Sequence, residues 1–289
     1  MSQNPWETKV GAKIRLGRIF RTDSRTVILA ADHRQRGIQE GMRNTDELSR
    51  KVSSAMRYAD ALLSTKDPLR LLLLRDQQLI HKGIILSLNR TGLAGSVFET
   101  DDRMVLSPQH SLVLGADAVK LLVRIDPDSP QTSSQLEMCG RIAEECDKLQ
   151  LPLIVEPLYC KRTSSGLVVD TSPDKILYAS IIAADFSVAA IKVPYPSGRS
   201  RQQARRSFSD VVSSVSCPVL VLGGGKTDLK SLLERTEDSM SAGAKGVVIG
   251  RNVLLDSQPE LVACALSRIV HHEEDSDAAL RGAEEEVKS

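Results

Sequence analysis

Short apolar runs rich in β-branched residues alternate along this chain with longer segments of helical periodicity. The runs predict eight strands. The first, fourth, seventh and eighth of them are almost continuously apolar, as expected for parallel strands that are covered on both faces. The predicted strands span residues 26–32, 60–65, 83–88, 117–123, 152–158, 189–194, 218–224 and 246–250.

Amphipathic segments lie between the predicted strands. In the clearest of them, residues 131–149, Cys139, Ile142 and Cys146 belong to one apolar stripe. Comparable segments span residues 173–184, 227–243 and 256–270. Eight alternating strands and helices in about 250 residues predict an α/β fold, a closed (β/α)8 TIM barrel. A doubly wound open sheet is the alternative, but it would more naturally carry a GxGxxG motif after its first strand, and none is present.

Three segments are expected along the chain. Residues 21–270 predict a single barrel domain, and residues 1–20 predict an additional helix placed to close the bottom of the barrel. Residues 271–289 are polar and acidic and are expected to fray as a C-terminal tail. The connection at 89–107 is long for a loop between strand and helix, and long loops in compact domains are usually functional.

Composition excludes several classes of protein. The chain has 38 Lys and Arg against 37 Asp and Glu and only 3% aromatic residues, which argues against a nucleic-acid partner. Its longest apolar run, 71–74, is far short of the ~20 residues of a membrane span, and no signal peptide is visible. The five cysteines form no CxxC pair, so neither a disulfide framework nor a zinc site is indicated. We therefore expect a cytoplasmic protein with no membrane or metal requirement.

Three charged residues recur inside the apolar strands. Lys120, Glu156 and Lys192 follow one another at intervals of 36 residues on the fourth, fifth and sixth predicted strands. Active sites of such barrels lie at the carboxyl ends of the strands, where side chains of neighbouring strands converge. Buried charges are costly unless they are paired. A structural ion pair is the alternative for each of the three residues.

A lysine pair with one carboxylate suits Schiff-base chemistry. An amine attacks a ketone only when it is neutral, and the ordinary lysine pKa is ~10.4. Burial and a second nearby cation both lower such a pKa. A carboxylate then moves protons through the carbinolamine and enamine steps. This chemistry requires no cofactor.

Two glycine segments follow the seventh and eighth predicted strands, the place where barrels commonly bind phosphate. The candidate contacts are Gly223, Gly224, Gly225 and Lys226 in the first segment and Gly250 and Arg251 in the second. Glycine lets backbone N–H groups approach an oxyanion closely, and the basic side chains add charge. A simple tight turn is the alternative for the first segment.

Other polar residues stand at the ends of the first and third strands. Asp32 either orients a substrate hydroxyl, acts as a base or caps a helix, and His33 lacks the second histidine that a metal site would need. The candidate substrate contacts on these loops are Arg34, Asn89, Arg90, Ser96 and Asp102. Pairing with a carboxylate is the alternative for Arg34, and an ordinary polar loop is the alternative for the other four. Tyr159 and Tyr195 are possible proton donors, and packing is an equal alternative for both.

Several motifs together resemble a known superfamily. The runs AAIKVPYPSG (189–198), VLVLGGGK (219–226) and GAKGVVIGRNV (243–253) resemble the class I aldolases of the deoxyribose-phosphate and archaeal-type fructose-bisphosphate aldolase superfamily. Within it, DHR (32–34), GADAVKLLVRIDPD (115–128) and LPLIVEPL (151–158) resemble most closely the class I tagatose-bisphosphate and sulfofructose-phosphate aldolases.

The resemblance implies a role for each charged residue. Lys192 matches the Schiff-base lysine, Lys120 the second lysine, Glu156 the acid–base glutamate and Asp32 the aspartate of the first strand. The implied activity is reversible, metal-independent cleavage of a phosphorylated ketose to dihydroxyacetone phosphate and an aldehyde, in a homo-oligomer. A transferase using the same imine and a non-catalytic sugar-phosphate-binding barrel are the alternatives. The proton donor stays open between Glu156 and Tyr159.

Overall fold

The protein is represented by a computed structural model that describes residues 5–33, 44–89, 102–164 and 166–288. Eight parallel strands span Thr26–Ala30 (β1), Ala61–Ser64 (β2), Gly83–Ser87 (β3), Ala118–Ile125 (β4), Leu153–Thr163 (β5), Ala190–Val193 (β7), Val219–Leu222 (β8) and Gly246–Ile249 (β9), and the antiparallel strand Gly166–Val169 is β6. The parallel strands pair in the order β4-β3-β2-β1-β9-β8-β7-β5, and β4 pairs with β5 to close the barrel. The predicted (β/α)8 barrel is confirmed, with each predicted strand in its place.

Helices cover the outside of the barrel. They span Val10–Ile19 (α1), Thr45–Met56 (α2), Lys66–Arg75 (α3), Pro108–Val113 (α4), Gln131–Leu149 (α5), Pro173–Ala184 (α6), Arg201–Ser213 (α7), Leu229–Ser241 (α8), Arg251–Leu254 (α9), Pro259–His272 (α10) and Ser276–Lys288 (α11). Short 3-10 segments occupy Pro5–Thr8 and Gln77–His81. None of the helices in the described ranges is long and apolar enough to cross a membrane.

Two apolar layers follow from the alternation of side chains along each strand. The outer layer joins the strands to the helices and forms the larger cluster of buried residues. The inner layer fills the barrel with small and branched side chains: Ile28, Ala30, Ala61, Leu63, Ile85, Ala118, Ile154, Ala190, Leu220 and Val248. The barrel interior is therefore a packed core, and only its two ends have room for polar groups.

The amino-terminal segment closes the bottom of the barrel, the end at which the strands begin. Ile19, the last residue of α1, is fully buried and belongs to the inner layer, and Phe20 packs beside it. A Cβ added to Gly83, the first residue of β3, would lie 2.7 Å from the carbonyl oxygen of Arg18. The close approach of α1 to β3 thus depends on glycine at this position.

Two segments differ from the sequence expectations. Strand β5 continues to Thr163, five residues past its predicted end, and pairs with an antiparallel β6, Gly166–Val169, in a hairpin. The C-terminal segment does not fray: it forms α11, whose Ala279 and Ala283 are fully buried and which packs against α10. The fully buried residues of α11 are alanines, with Leu280 and Val287 partly buried against the core, so the segment reads as mostly polar although one stripe of it is buried.

Candidate active site

The alternation within the strands points four charged side chains into the mouth of the barrel, the end formed by the carboxyl ends of the strands. Each charged residue follows an inner-layer residue by two positions, so both face inward. Ala30, Ala118, Ile154 and Ala190 precede Asp32, Lys120, Glu156 and Lys192, respectively. We call these four charged residues the charged quartet.

Short ion pairs connect the members of the charged quartet. Glu156 Oε2 lies 3.0 Å from Lys192 Nζ and 3.4 Å from Lys120 Nζ. Lys120 Nζ also lies 3.2 Å from Asp32 Oδ2. The side chains of both lysines and of Glu156 are less than one-tenth exposed. Of the three residues predicted from a 36-residue spacing, both lysines therefore contact Glu156, and Asp32 contacts Lys120.

Strand register explains how two lysines reach one carboxylate. Lys120 is aligned with Ile154, and Glu156 is aligned with Leu122, so Lys120 begins one inward position lower in the barrel than Glu156. Ile154 is aligned with Ala190, which places Glu156 level with Lys192. Lys120 consequently extends upward from below, whereas Lys192 approaches Glu156 from the side. The equal spacing in sequence does not correspond to equal height in the barrel.

The lysines keep both carboxylates ionised. Burial by itself would raise the pKa of Asp32, but Lys120, His33 and Lys192 outweigh burial and hold that pKa well below its ordinary value. Burial also opposes ionisation of Glu156, and here Lys192 and Lys120 lower the pKa despite the neighbouring charge of Asp32. The quartet thus holds two carboxylate anions at neutral pH.

His33 and Gly250 fit together beside Asp32. His33 Nδ1 lies 3.8 Å from Asp32 Oδ1. A Cβ on Gly250 would lie 2.4 Å from the carbonyl oxygen of Ala30 and 2.5 Å from the His33 ring. Position 250 therefore has no space for a side chain. Glycine at this position lets the ends of β1 and β9 approach each other at the mouth.

The glycine segment after β8 is folded against the start of α9. Arg251 Nη2 donates to the carbonyl oxygen of Gly224 at 2.8 Å, and Gly224 adopts φ +67°, which favours glycine. Lys226 Nζ donates to the carbonyl oxygen of Leu255 at 2.8 Å. The structure therefore places the two predicted phosphate segments side by side, and both predicted basic side chains hold backbone carbonyls.

Asn252 belongs to the predicted phosphate segment at 250–252, but the sequence assigned it no role of its own. Its Nδ2 donates to the carbonyl oxygens of Gly223 at 2.8 Å and Gly225 at 3.1 Å, and its Oδ1 accepts from the Thr227 N–H at 2.8 Å. The side chain is buried. Its place directly after Arg251 was the only signal in the sequence, and an isolated asparagine carries little information.

The candidates on the third loop have structural partners. Asn89 Nδ2 donates to the carbonyl oxygen of Leu122 at 2.7 Å, and its Oδ1 accepts from the Leu122 N–H at 3.0 Å, so its amide fastens the end of β3 to β4. Buried Asp102 lies 3.4 Å from Arg124 Nε. Arg34, Arg90 and Ser96 lie outside the described residues.

The two tyrosines pack against helices on the outside of the barrel. Tyr159 contacts Tyr178 of α6 in a T-shaped arrangement with ring centroids 5.9 Å apart, and Lys175 Nζ lies 5.1 Å from the centroid of the Tyr159 ring. Tyr195 packs against Phe208 of α7 with centroids 5.5 Å apart. Because Tyr159 follows Glu156 by an odd number of positions, it points away from the mouth.

Comparison with known proteins agrees with this architecture. Residues 24–270 match the model of a family described as Cgl0159-like. The chain belongs to the Cgl0159-like family. A solved member from Corynebacterium glutamicum shares 28% identity and a TM-score of 0.77, with 91% of this chain and 92% of that chain covered.

Two further relatives are a protein named as a synthase and a Schiff-base-forming aldolase. The chain is 33% identical over 264 residues to 2-amino-3,7-dideoxy-D-threo-hept-6-ulosonate synthase 1 of Archaeoglobus fulgidus, covering 91% of this chain and 92% of the relative. It is 26% identical, with a TM-score of 0.73, to a Schiff-base-forming fructose-1,6-bisphosphate aldolase, covering 90% of this chain and all of that one. The chain is thus a member of the Schiff-base aldolase superfamily, and the resemblance of its motifs to this superfamily is confirmed.

Proposed function

We propose that this Cgl0159-like protein is a class I aldolase that cleaves a phosphorylated ketose reversibly through an imine on Lys192. The products are dihydroxyacetone phosphate, or a related phosphorylated ketone, and an aldehyde. The observation that carries the proposal is the charged quartet, in which two buried lysines share one carboxylate at the mouth of the barrel. The Schiff-base aldolase among its relatives supports the same chemistry.

Lys192 is the member of the quartet best placed to be the nucleophile. Its amine is hydrogen-bonded to Glu156, which can take up the proton that the amine gives up before attack. Lys120 instead lies between two carboxylates, Asp32 and Glu156, a position that suits a permanent counter-cation. The division between one reacting and one supporting lysine follows from these contacts.

Glu156 handles the protons of the reaction. Lys192 Nζ adds to the carbonyl carbon, and the carbonyl oxygen is protonated to a carbinolamine and leaves as water, which gives an iminium ion. The β-hydroxyl of the substrate then loses its proton, the carbon–carbon bond breaks, and its electron pair passes into the iminium to form an enamine. Protonation of the enamine carbon and hydrolysis return the ketone and the free amine. Glu156 is the proposed proton carrier because its carboxylate is hydrogen-bonded to the Lys192 nitrogen.

Asp32 and the glycine segments complete the proposed site. Asp32 lies on the opposite side of Lys120 from Glu156 and is suited to orient or deprotonate a substrate hydroxyl. The segments at 223–226 and 250–251 are the proposed phosphate contacts, and Arg34, Asn89 and Arg90 remain proposed contacts to the distal end of the substrate. No metal ion takes part in the proposed steps, so EDTA should leave turnover intact.

Borohydride trapping tests the proposed nucleophile. Reduction in the presence of dihydroxyacetone phosphate should add the ketone covalently to Lys192 and block tryptic cleavage there, giving a modified peptide 176–199. An adduct on Lys120 would instead appear in peptide 104–124 and would overturn the role assignment. Failure of every phosphorylated ketose to give an adduct would favour the non-catalytic sugar-phosphate-binding barrel.

A transferase is the second candidate, because the relative from Archaeoglobus fulgidus is named as a synthase. Both candidates form the same imine, so trapping does not separate them. Release of free aldehyde from a phosphorylated ketose with no added acceptor would indicate a lyase. Turnover that appears only when a second carbonyl compound is supplied would indicate a transferase. A screen of phosphorylated and sulfonated ketoses then addresses the distal end of the substrate.

A further inference from the structure

The three glycine carbonyls of the segment after β8 are all bound from one side. Two neighbouring residues at the start of α9 supply the donors: Asn252 binds the carbonyl oxygens of Gly223 and Gly225, and Arg251 binds that of Gly224. We call this arrangement the carbonyl clamp. Carbonyl oxygens repel an anion, so a clamp that holds all three toward α9 removes them from the opposite side of the loop.

The backbone N–H groups of the same loop are left available. In the described part of the chain, the N–H of Gly223 donates to the carbonyl oxygen of Val248, whereas those of Gly224 and Gly225 donate to no protein acceptor. Gly224 is left-handed, and successive N–H groups around a left-handed residue form a concavity that binds anions. The clamp thus orients two successive N–H donors for an oxyanion.

We propose that Asn252 is the positioning residue that shapes this loop for the phosphate of the substrate. The proposal rests on the proposed function and adds a residue that does not itself touch the ligand. Asparagine suits the position because one buried side chain must donate to two carbonyls and accept from the Thr227 N–H. Aspartate would keep the acceptor, lose both donors and add a negative charge behind the loop.

Binding of inorganic phosphate tests the proposed anion site at the Gly224 and Gly225 N–H groups without any turnover. In wild-type protein, phosphate should raise the melting temperature more than chloride does at matched ionic strength, because it binds the folded state only. Asn252→Ala and Asn252→Asp should require at least tenfold more phosphate for the same shift. Equal phosphate dependence in wild type and both variants would overturn the proposal.

Trapping with two ketones separates positioning from general damage. Asn252→Ala should need at least tenfold more dihydroxyacetone phosphate for half-maximal adduct on Lys192 but should react with unphosphorylated dihydroxyacetone as wild type does. Trp6→Phe is the matched control, since it removes a 2.7 Å hydrogen bond to Ser187 near the opposite end of the barrel and should change neither reaction. An equal loss with both ketones in Asn252→Ala would mean a merely structural role.

Outcomes for the two proposals stay distinct. A phosphate-dependent shift that Asn252 variants weaken, without an adduct in wild type, would preserve the carbonyl clamp and refute the aldolase. A wild-type adduct with unchanged phosphate dependence in both Asn252 variants would do the reverse. If Asn252→Ala fails to fold, Asn252→Asp, which keeps the bond to Thr227, provides the same comparison.

Discussion

Both ends of the barrel contain buried charged groups, but the two ends use them differently. At the bottom, Asp60 and Asp117 stand directly before β2 and β4, and each accepts from a backbone N–H, that of Val27 at 2.7 Å and that of Ile84 at 3.0 Å. An arginine from the amino-terminal segment pairs with each of the two aspartates. In the mouth, the ion pairs join the members of the charged quartet to one another.

This contrast distinguishes charged groups that stabilise the fold from charged groups that are available for catalysis. A carboxylate that accepts from a buried backbone N–H cannot be protonated without weakening that hydrogen bond and the sheet. Removing the carboxylate leaves the buried N–H donor without a partner. A carboxylate paired only with lysine side chains can exchange protons with them while the backbone hydrogen bonds of the barrel stay intact. Variants at the two ends should therefore separate stability from activity.

The largest expected effect is at Lys192. Lys192→Met should abolish both the trapped adduct and turnover, because Lys120, the other amine that contacts Glu156, is also paired with Asp32 and is the proposed counter-cation. Mass spectrometry after borohydride treatment and a coupled aldehyde assay measure the two losses. A full adduct elsewhere in this variant would contradict the assignment of the nucleophile.

Glu156→Gln should have the next largest effect. The amide keeps the shape and the contact but cannot exchange protons, so turnover should fall by about 10²–10⁴-fold, the usual contribution of general acid–base catalysis. Raising the pH should not restore it. Steady-state kinetics across pH 5–9 provides the measurement, and a loss below threefold would move the proton-transfer role to another group.

Lys120→Met should shift the pH dependence while keeping the adduct. Lys120 helps to hold the pKa of both Asp32 and Glu156 below their ordinary values, and without it burial favours their protonated forms. Their ionisation is then lost at a higher pH as the solution is acidified, so the acid limb of kcat/KM should move upward. A one-unit shift costs about tenfold at a pH below both the original and the raised pKa. An unmoved profile with a raised KM would indicate a direct substrate contact instead.

The smallest expected effect on activity is at the bottom of the barrel. Asp60→Asn retains an oxygen for the Val27 N–H but loses the charge that faces Arg21 and His271. The free energy of unfolding in urea should fall by about 2 kcal/mol, the scale of a hydrogen bond to a charged group. Adduct formation on Lys192 at temperatures below unfolding should match wild type. A strongly reduced adduct would contradict the proposal that the charged groups at the bottom serve stability and not activity.

Features of the fold that follow from a regular local pattern of apolar residues could be predicted from the sequence. Successive side chains of a strand point alternately inward and outward. The convergence of Lys120, Glu156 and Lys192 therefore followed from their place in apolar strands of the barrel. The hairpin at the end of β5 was missed because residues 159–169 are mixed in polarity. Helix α11 was missed because its buried stripe is made of Ala279 and Ala283, which contribute little to an apolar pattern.

Contacts between distant loops were beyond sequence reasoning. The role of Asn252 depends on the carbonyl direction of two glycines more than 25 positions earlier, which no local pattern encodes. Asn89 illustrates the converse: its place after a strand suggested a ligand contact, yet its amide is bonded to the backbone of β4. Whether it also contacts the substrate stays a prediction.

The pairing of β1 with β9 has a consequence for how the chain folds. Thr26 is aligned with Gly246, so most of the polypeptide separates two strands that hydrogen-bond side by side. During synthesis β1 therefore has an unpaired edge until the last strand emerges, and such edges invite pairing with other chains. Closure of the barrel is a contact of very long range, which slows folding because loop-closure entropy is lost before the contact forms. A chain that ends before residue 246 should expose the edges of β1 and β8 and aggregate rather than fold partially.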